Sequence, residues 1–208
     1  MTDELTDPTA VPEGFRSGFV TFVGRPNAGK STLLNHILGS KVSIVSDKPQ
    51  TTRNQIRGIL NRPDAQIVFV DTPGIHKPRT ALGAQLNAVA DEAIGDVDVV
   101  VFLVDATAPI GPGDRFIAEK LPPSTLVVVN KIDIARHHRI VDQLALASDW
   151  DFAEYFPVSA RTGEGVAALV DRLAADLPVG PKFFPDDEIS DLPEERWVAE
   201  LVREQLLA

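Results

Sequence analysis

Phe19-Val20-Thr21-Phe22-Val23-Gly24-Arg25-Pro26-Asn27-Ala28-Gly29-Lys30-Ser31-Thr32 runs from an apolar β-rich stretch into the pattern GxxxxGKS, and its reading decides the fold. Glycines at 24 and 29 let the backbone curl until successive amide N–H groups point inward at an anion. Lys30 has the reach to meet β- and γ-phosphates, and the Ser31 hydroxyl suits Mg2+. Behind the loop, Ser31 to Leu38 carries apolar residues at helical spacing, closed by Gly39. An isolated match would be a glycine-rich turn with a solvated lysine. Strand, loop and helix in this order instead make a triphosphate cradle, because the helix N-terminus adds amide donors and partial positive charge.

The rest of the chain repeats that alternation. Apolar runs at 18–23, 66–70, 98–104, 125–129 and 154–158, with a weaker one at 55–60, predict strands. Helical spacing follows at 30–38, 82–94, 114–121, 140–147 and 166–176. Strands apolar throughout and separated by helices predict an α/β fold, a P-loop NTPase domain. Its sheet is expected to be six-stranded and mostly parallel, with helices on both faces. Ligands of such sheets sit at the carboxyl ends of the strands.

The 208 residues suffice for one well-packed domain and an appendage. Residues 1–16 are polar and acidic and are expected to form a disordered arm; residues 17–178 form the nucleotide domain. The proline-rich, acidic stretch 179–192 is expected to be a linker. In 193–208, Trp197, Val198, Leu201, Val202 and Leu206 recur at helical spacing, and this helix is expected to open a second domain that the chain does not contain. The alternative is that it docks back on the first. Without cysteine, disulfides and thiolate metal sites are excluded. No apolar run approaches a membrane span, and a cytoplasmic monomer is expected. The net charge of −10 argues against a basic face that grips nucleic-acid phosphates.

Four further motifs narrow the chemistry. Asp71-Thr72-Pro73-Gly74 follows the run 67–70; an acid there can hold Mg2+ through water, and the Gly74 N–H can meet a γ-phosphate. Asn130-Lys131-Ile132-Asp133 selects the base. A carboxylate at Asp133 accepts from the ring N–H and exocyclic amine of guanine, a donor pair that adenine lacks. Lys131 can lay its alkyl stem over the purine. Ser159-Ala160-Arg161 follows the last strand, where backbone amides could bind the guanine oxygen. Between the first two motifs, Gln50-Thr51-Thr52-Arg53-Asn54 offers a threonine able to close onto Mg2+ and γ-phosphate only when the triphosphate is present, which is a switch. Thr51 and Thr52 compete for that role. The combination predicts GTP and GDP as substrate and product, with Mg2+ held by Ser31, Thr52 and Asp71.

These residues resemble a known family. GRPNAGKSTLLN, QTTR continuing as NQIRGI, DTPGIHKP, NKID and VSARTGEG are similar to the Era family of bacterial GTPases, of the TrmE-Era-EngA class, over about 17–206. Phe184-Pro185-Asp186-Asp187-Glu188-Ile189-Ser190-Asp191 and the Pro-Glu-Glu-Arg helix start resemble that family's junction into a KH domain. The resemblance implies a GTP-hydrolysing switch that assists assembly of the 30S ribosomal subunit. It implies contact with small-subunit ribosomal RNA through a KH domain, of which 193–208 would be the first helix, and little nucleic-acid binding by the 208 residues themselves. It also carries peripheral membrane association, which no basic amphipathic helix supports. Ile75 stands where a glutamine would orient the attacking water. In related GTPases an asparagine placed like Asn27 helps bind K+, which stands where an arginine finger would. Lys30, Thr52, Gly74 and Asn27 are therefore the candidate catalytic residues.

Two other readings compete. G domains of tRNA-modification or tandem GTPases share the loop but typically show PGxTR or GTTRD where this chain has Gln50 to Asn54. A non-hydrolysing GTP-sensing scaffold conflicts with the complete set of Lys30, Ser31, Asp71 and a threonine pair. His36, His76, His137 and His138 read as surface or loop residues, and nothing in the spacing of Arg53 or Arg115 demands a phosphate.

Overall fold

The computed structural model describes residues 11–43, 56–71, 94–190 and 194–207. The switch residues Gln50 to Asn54, residues Thr72 to His76 and the helix expected at 82–94, apart from its last residue, lie outside these. So does residue 71's side chain, although its backbone is described.

The sheet orders as β2-β3-β1-β4-β5-β6. Its strands are β1 (Arg16–Gly24), β2 (Ile56–Asn61), β3 (Ala65–Asp71), β4 (Val99–Asp105), β5 (Leu126–Asn130) and β6 (Glu154–Val158). All neighbours pair in parallel except β2 with β3. Arg62-Pro63-Asp64 is too short for a crossover, so those two strands must form a hairpin. The helices among the described residues are α1 (Lys30–Leu38), α2 (Pro112–Ala118), α3 (His137–Ser148), α4 (Val166–Asp176) and α5 (Glu194–Leu207). Helix α2 starts two residues ahead of the sequence expectation. Pro112 has no N–H to satisfy in the first turn, and the Asp114 carboxylate accepts from the Gly111 amide at 2.9 Å. It ends at Ala118, ahead of Pro122-Pro123.

Strand alternation sorts the core into two layers. Val20, Phe22, Phe69, Val101, Leu103 and Val128 face Leu33 and Leu34 of α1 and Leu169 and Leu173 of α4. Val23, Val100, Phe102, Val104 and Val127 face Ile117 of α2 and Ala147 of α3. Both faces of the central strands are therefore buried, as continuous apolar runs require. At about 25 cal/mol per Å2 of apolar surface, such burial is the main force holding the strand ends in register.

Two residues expected in the N-terminal arm belong to the domain: Phe15 is buried, and Arg16 opens β1 opposite Ala65. At the other end, 179–190 is tied to the domain. The Gln66 side chain accepts from the Phe183 and Phe184 amides at 2.7 and 3.0 Å and donates to the Phe184 carbonyl at 2.8 Å. The Ile59 amide donates to the Ile189 carbonyl at 3.0 Å, and Gly58 bridges Ser190 antiparallel on the outer edge of β2. Helix α5 meets the domain through an ion pair between Glu204 and Lys41, while Val198 and Val202 stay exposed. Among the described residues no helix is long and apolar enough to cross a membrane.

Candidate functional site

Five strands deliver their carboxyl ends to one edge of the sheet. Phe22 pairs with Asp71, Gly24 with Leu103, Asp105 with Asn130, and Asn130 with Val158. Every motif singled out above and described lies on this edge.

The loop between β1 and α1 is curled by three residues with positive φ: Gly24 at 155°, Asn27 at 64° and Gly29 at 100°. Side chains cannot replace the glycines. A Cβ on Gly24 would meet the Leu103 carbonyl at 2.7 Å, and one on Gly29 would meet Asn130 Nδ2 at 2.2 Å. Asn27 tolerates the left-handed region better than other side chains. Lys30 is buried and curls back, its ammonium donating to the carbonyls of Gly24 and Arg25, each at 3.2 Å. The Ala28 amide donates to the Arg25 carbonyl at 3.2 Å, and Pro26 lies between. Arg25 points away from the curl to Asp114 Oδ2, 3.2 Å away, which also caps α2. Ser31 and Thr32 form the first turn of α1.

This geometry fits a chelated triphosphate. The curl is the conformation in which consecutive amides converge on an anion. Ser31 lies in the first turn of α1, and Asp71 ends the strand that pairs with β1; both are residue types whose hard oxygens suit Mg2+. Among the described residues no cluster of three His, Cys, Asp or Glu could hold a metal by itself.

The base side is wired across the chain. Asn130 Nδ2 donates to the Ala28 carbonyl at 2.8 Å, and its Oδ1 accepts from the Ala160 amide at 2.9 Å. One side chain thus ties the phosphate loop to the loop after β6. Lys131 is left-handed at φ 68° and forms an ion pair with Asp105 Oδ2 at 2.7 Å. Asp133 is exposed and accepts from the Ser159 hydroxyl at 2.8 Å, and Ser159 Oγ in turn accepts from the Thr162 amide at 3.0 Å. Gly29, Thr32, Asn130, Lys131, Asp133, Ile134, Ala160 and Arg161 line a cavity of about 150 Å3 beside α1.

Sequence reasoning passed over several residues here. Asp105 ends β4 and holds Lys131; its Oδ1 accepts from the Thr107 amide at 2.8 Å and hydroxyl at 2.6 Å. Burial alone would favour its neutral form, but Lys131 and Thr107 outweigh that and hold the carboxyl below the usual carboxylate range. Asn35 fixes the chain after α1: its Oδ1 accepts from the Val42 and Ser43 amides, both at 2.9 Å. Aspartate followed two residues later by threonine is an Asx-turn signal that could have revealed Asp105. His36, His137 and His138 are exposed, as expected, and Arg115 lies on α2.

Comparison with known proteins agrees with the geometry. The family described as 50S ribosome-binding GTPase matches residues 19–131. GTPase Era of Clostridium botulinum (strain Eklund 17B) is 51% identical over 197 residues, covering 93% of this chain and 67% of that protein. GTPase Era of Mycobacterium sp. (strain KMS) is 52% identical over 200 residues, with the same coverage. The crystal structure of Era with MgGDPNP and nucleotides 1506–1542 of 16S ribosomal RNA superposes with a TM-score of 0.86 at 40% identity. It covers 91% of this chain and 66% of that one. A variant of Aquifex aeolicus Era bound to GDP and AlF4− gives 0.84 at 39% identity, with the same coverage. The chain thus spans about two thirds of its relatives' length.

Proposed function

The chain belongs to the Era family of GTPases, and on that premise we propose a Mg2+-dependent GTP switch that serves 30S subunit assembly in the whole protein. The observation that carries the reading is Asn130, which joins the phosphate loop at Ala28 to the base-side loop at Ala160, with Asp133 beside them. Guanine sits against Asn130, Lys131, Asp133 and the Ser159–Arg161 loop, its ring N–H and amine donating to the Asp133 carboxylate. The triphosphate lies along Gly24 to Thr32. Lys30 leaves the Gly24 and Arg25 carbonyls for the β- and γ-phosphates, exchanging neutral acceptors for anionic ones, which are about twice as strong.

Ser31 and Asp71 would hold Mg2+, joined in the triphosphate state by Thr52 or its neighbour Thr51, and the metal would supply charge neutralisation to the phosphates. The Gly74 amide meets the γ-phosphate, so residues 50–54 and 71–74 sense its presence together. On hydrolysis both lose that contact, which makes the pair a switch. Because Ile75 cannot orient water, intrinsic turnover is slow and charge stabilisation falls to the loop. Asn27 would help hold K+ there. Hydrolysis is expected to run faster in KCl than in NaCl, and Asn27→Ala is expected to erase the difference in a single-turnover assay. Equal rates in both salts would remove K+ from the mechanism.

Residues 193–208 open the KH domain that takes the ribosomal RNA in the whole protein, reached through 179–192. Support comes from the relative crystallised with a 16S fragment and from the acidity of this chain. The 208 residues alone are expected to bind a 3′-terminal 16S oligonucleotide weakly; tight binding that weakens steeply with salt would place the RNA site here instead.

A further inference from the structure

We propose that Asp105 is a positioning residue for guanine-nucleotide binding: it clamps the Lys131 side chain as a preformed wall for the purine. The inference rests on the reading that Lys131 covers the base. Lys131 follows Asn130 with a left-handed backbone, so its stem leaves the strand end in an unusual direction. A lysine stem with a solvated head would sample many rotamers. Here the head is fixed at 2.7 Å by a carboxylate on the neighbouring strand. That carboxylate is itself fixed. Asp105 pairs in register with Asn130, and the Ala106 amide donates to the Asn130 carbonyl at 2.9 Å. The Thr107 amide and hydroxyl both occupy Oδ1, which leaves Oδ2 aimed at the ammonium. The wall is thus built before nucleotide arrives, and the rotamer entropy that ordering a lysine on binding would cost is already spent. The clamp acts on the face of the purine. Asp133, linked to Ser159 instead, reads its edge, so affinity and base selectivity have separate supports.

The test is equilibrium binding of fluorescent GDP and of inosine diphosphate, which lacks the exocyclic amine, to the whole protein. Asp105→Asn is expected to weaken both about five- to tenfold and to leave their ratio unchanged, with only a small loss of stability in the nucleotide-free protein. In a Lys131→Ala background the same substitution is expected to add no further loss. Thr107→Val, which keeps the carboxylate and the residue-107 amide but removes the hydroxyl donor from Oδ1, is expected to give a smaller loss in the same direction. Unchanged GDP affinity in Asp105→Asn would overturn the proposal. So would a loss that persists undiminished without Lys131, or a change in the ratio, which would route the effect through Asp133. If the unsubstituted protein does not prefer guanine nucleotides at all, it is the guanine reading that falls, not the clamp.

Discussion

The phosphate side and the base side of the cleft are built on different principles. From Gly24 to Ser31 the shape is local. Positive φ angles at Gly24, Asn27 and Gly29 make the curl, and Lys30 satisfies carbonyls five and six residues away. On the base side the contacts are long-range. Asn130 reaches Ala28 across 102 residues, while Lys131 and Asp133 each reach a partner 26 residues away. A local shape can change partners cheaply when a ligand arrives, whereas a cross-chain network is fixed by the fold. Under the proposed function the base side would therefore confer identity as a preformed surface, and the phosphate side would respond to what is bound.

The largest effect that would sharpen this contrast is at Lys30. Under the proposed function its ammonium would be the cation the loop offers to a transferring phosphoryl group, and removing one such donor costs about 10²- to 10³-fold in turnover. Lys30→Ala is expected to lose that much in single-turnover GTP hydrolysis while keeping the preference for guanosine over inosine nucleotides. If the base preference collapsed with the turnover, the two sides would be one unit.

The same contrast explains what was legible in the sequence. Local features were readable because they depend on residue type and spacing alone. The uninterrupted apolar run of β4 announced a strand buried on both faces, and two glycines around Asn27 announced the curl. Asn130 was readable as part of a base-recognition motif, but its tethering role needs Ala28 and Ala160 to be brought beside it by three strands. Asp105 was passed over, since its partner lies on another strand end. The stretch 179–192 read as a linker from its prolines and acids, yet Gln66 and Asn61 hold its residues 183–186 with hydrogen bonds whose partners are more than a hundred residues distant. Composition carries no information about such pairing.

Asn130 is where the two sides meet, so breaking it tests whether they are joined by anything else. Asn130→Ala strands a buried carbonyl at Ala28 and a buried amide at Ala160. Orphaned buried groups of this kind cost about 1–3 kcal/mol. Urea unfolding of the nucleotide-free protein is expected to show a loss of that size, together with weaker binding of GDP. A stability loss below about 0.5 kcal/mol would mean that water replaces the tether.

The smallest effect concerns the charge inside the base-side network. The Asp105 carboxyl titrates below the ordinary range, because Lys131 and Thr107 outweigh the burial that opposes ionisation. Its contribution is therefore fully present above the unfolded value, near about 3.9. Below that value the unfolded chain binds a proton that the folded chain still refuses. Stability then falls with pH and is lost as the folded value is passed. The pair is partly exposed, so the whole contribution is below about 1 kcal/mol. Urea midpoints of the parent protein and Asp105→Asn should keep a constant gap from neutral pH down to about pH 5, then converge in more acid solution. A gap that persists unchanged below about pH 3 would show that Asp105 acts through hydrogen bonds that its amide analogue cannot make rather than through charge. In that case the preformed wall at Lys131 owes its rigidity to geometry, and only the phosphate side of the cleft would depend on charge.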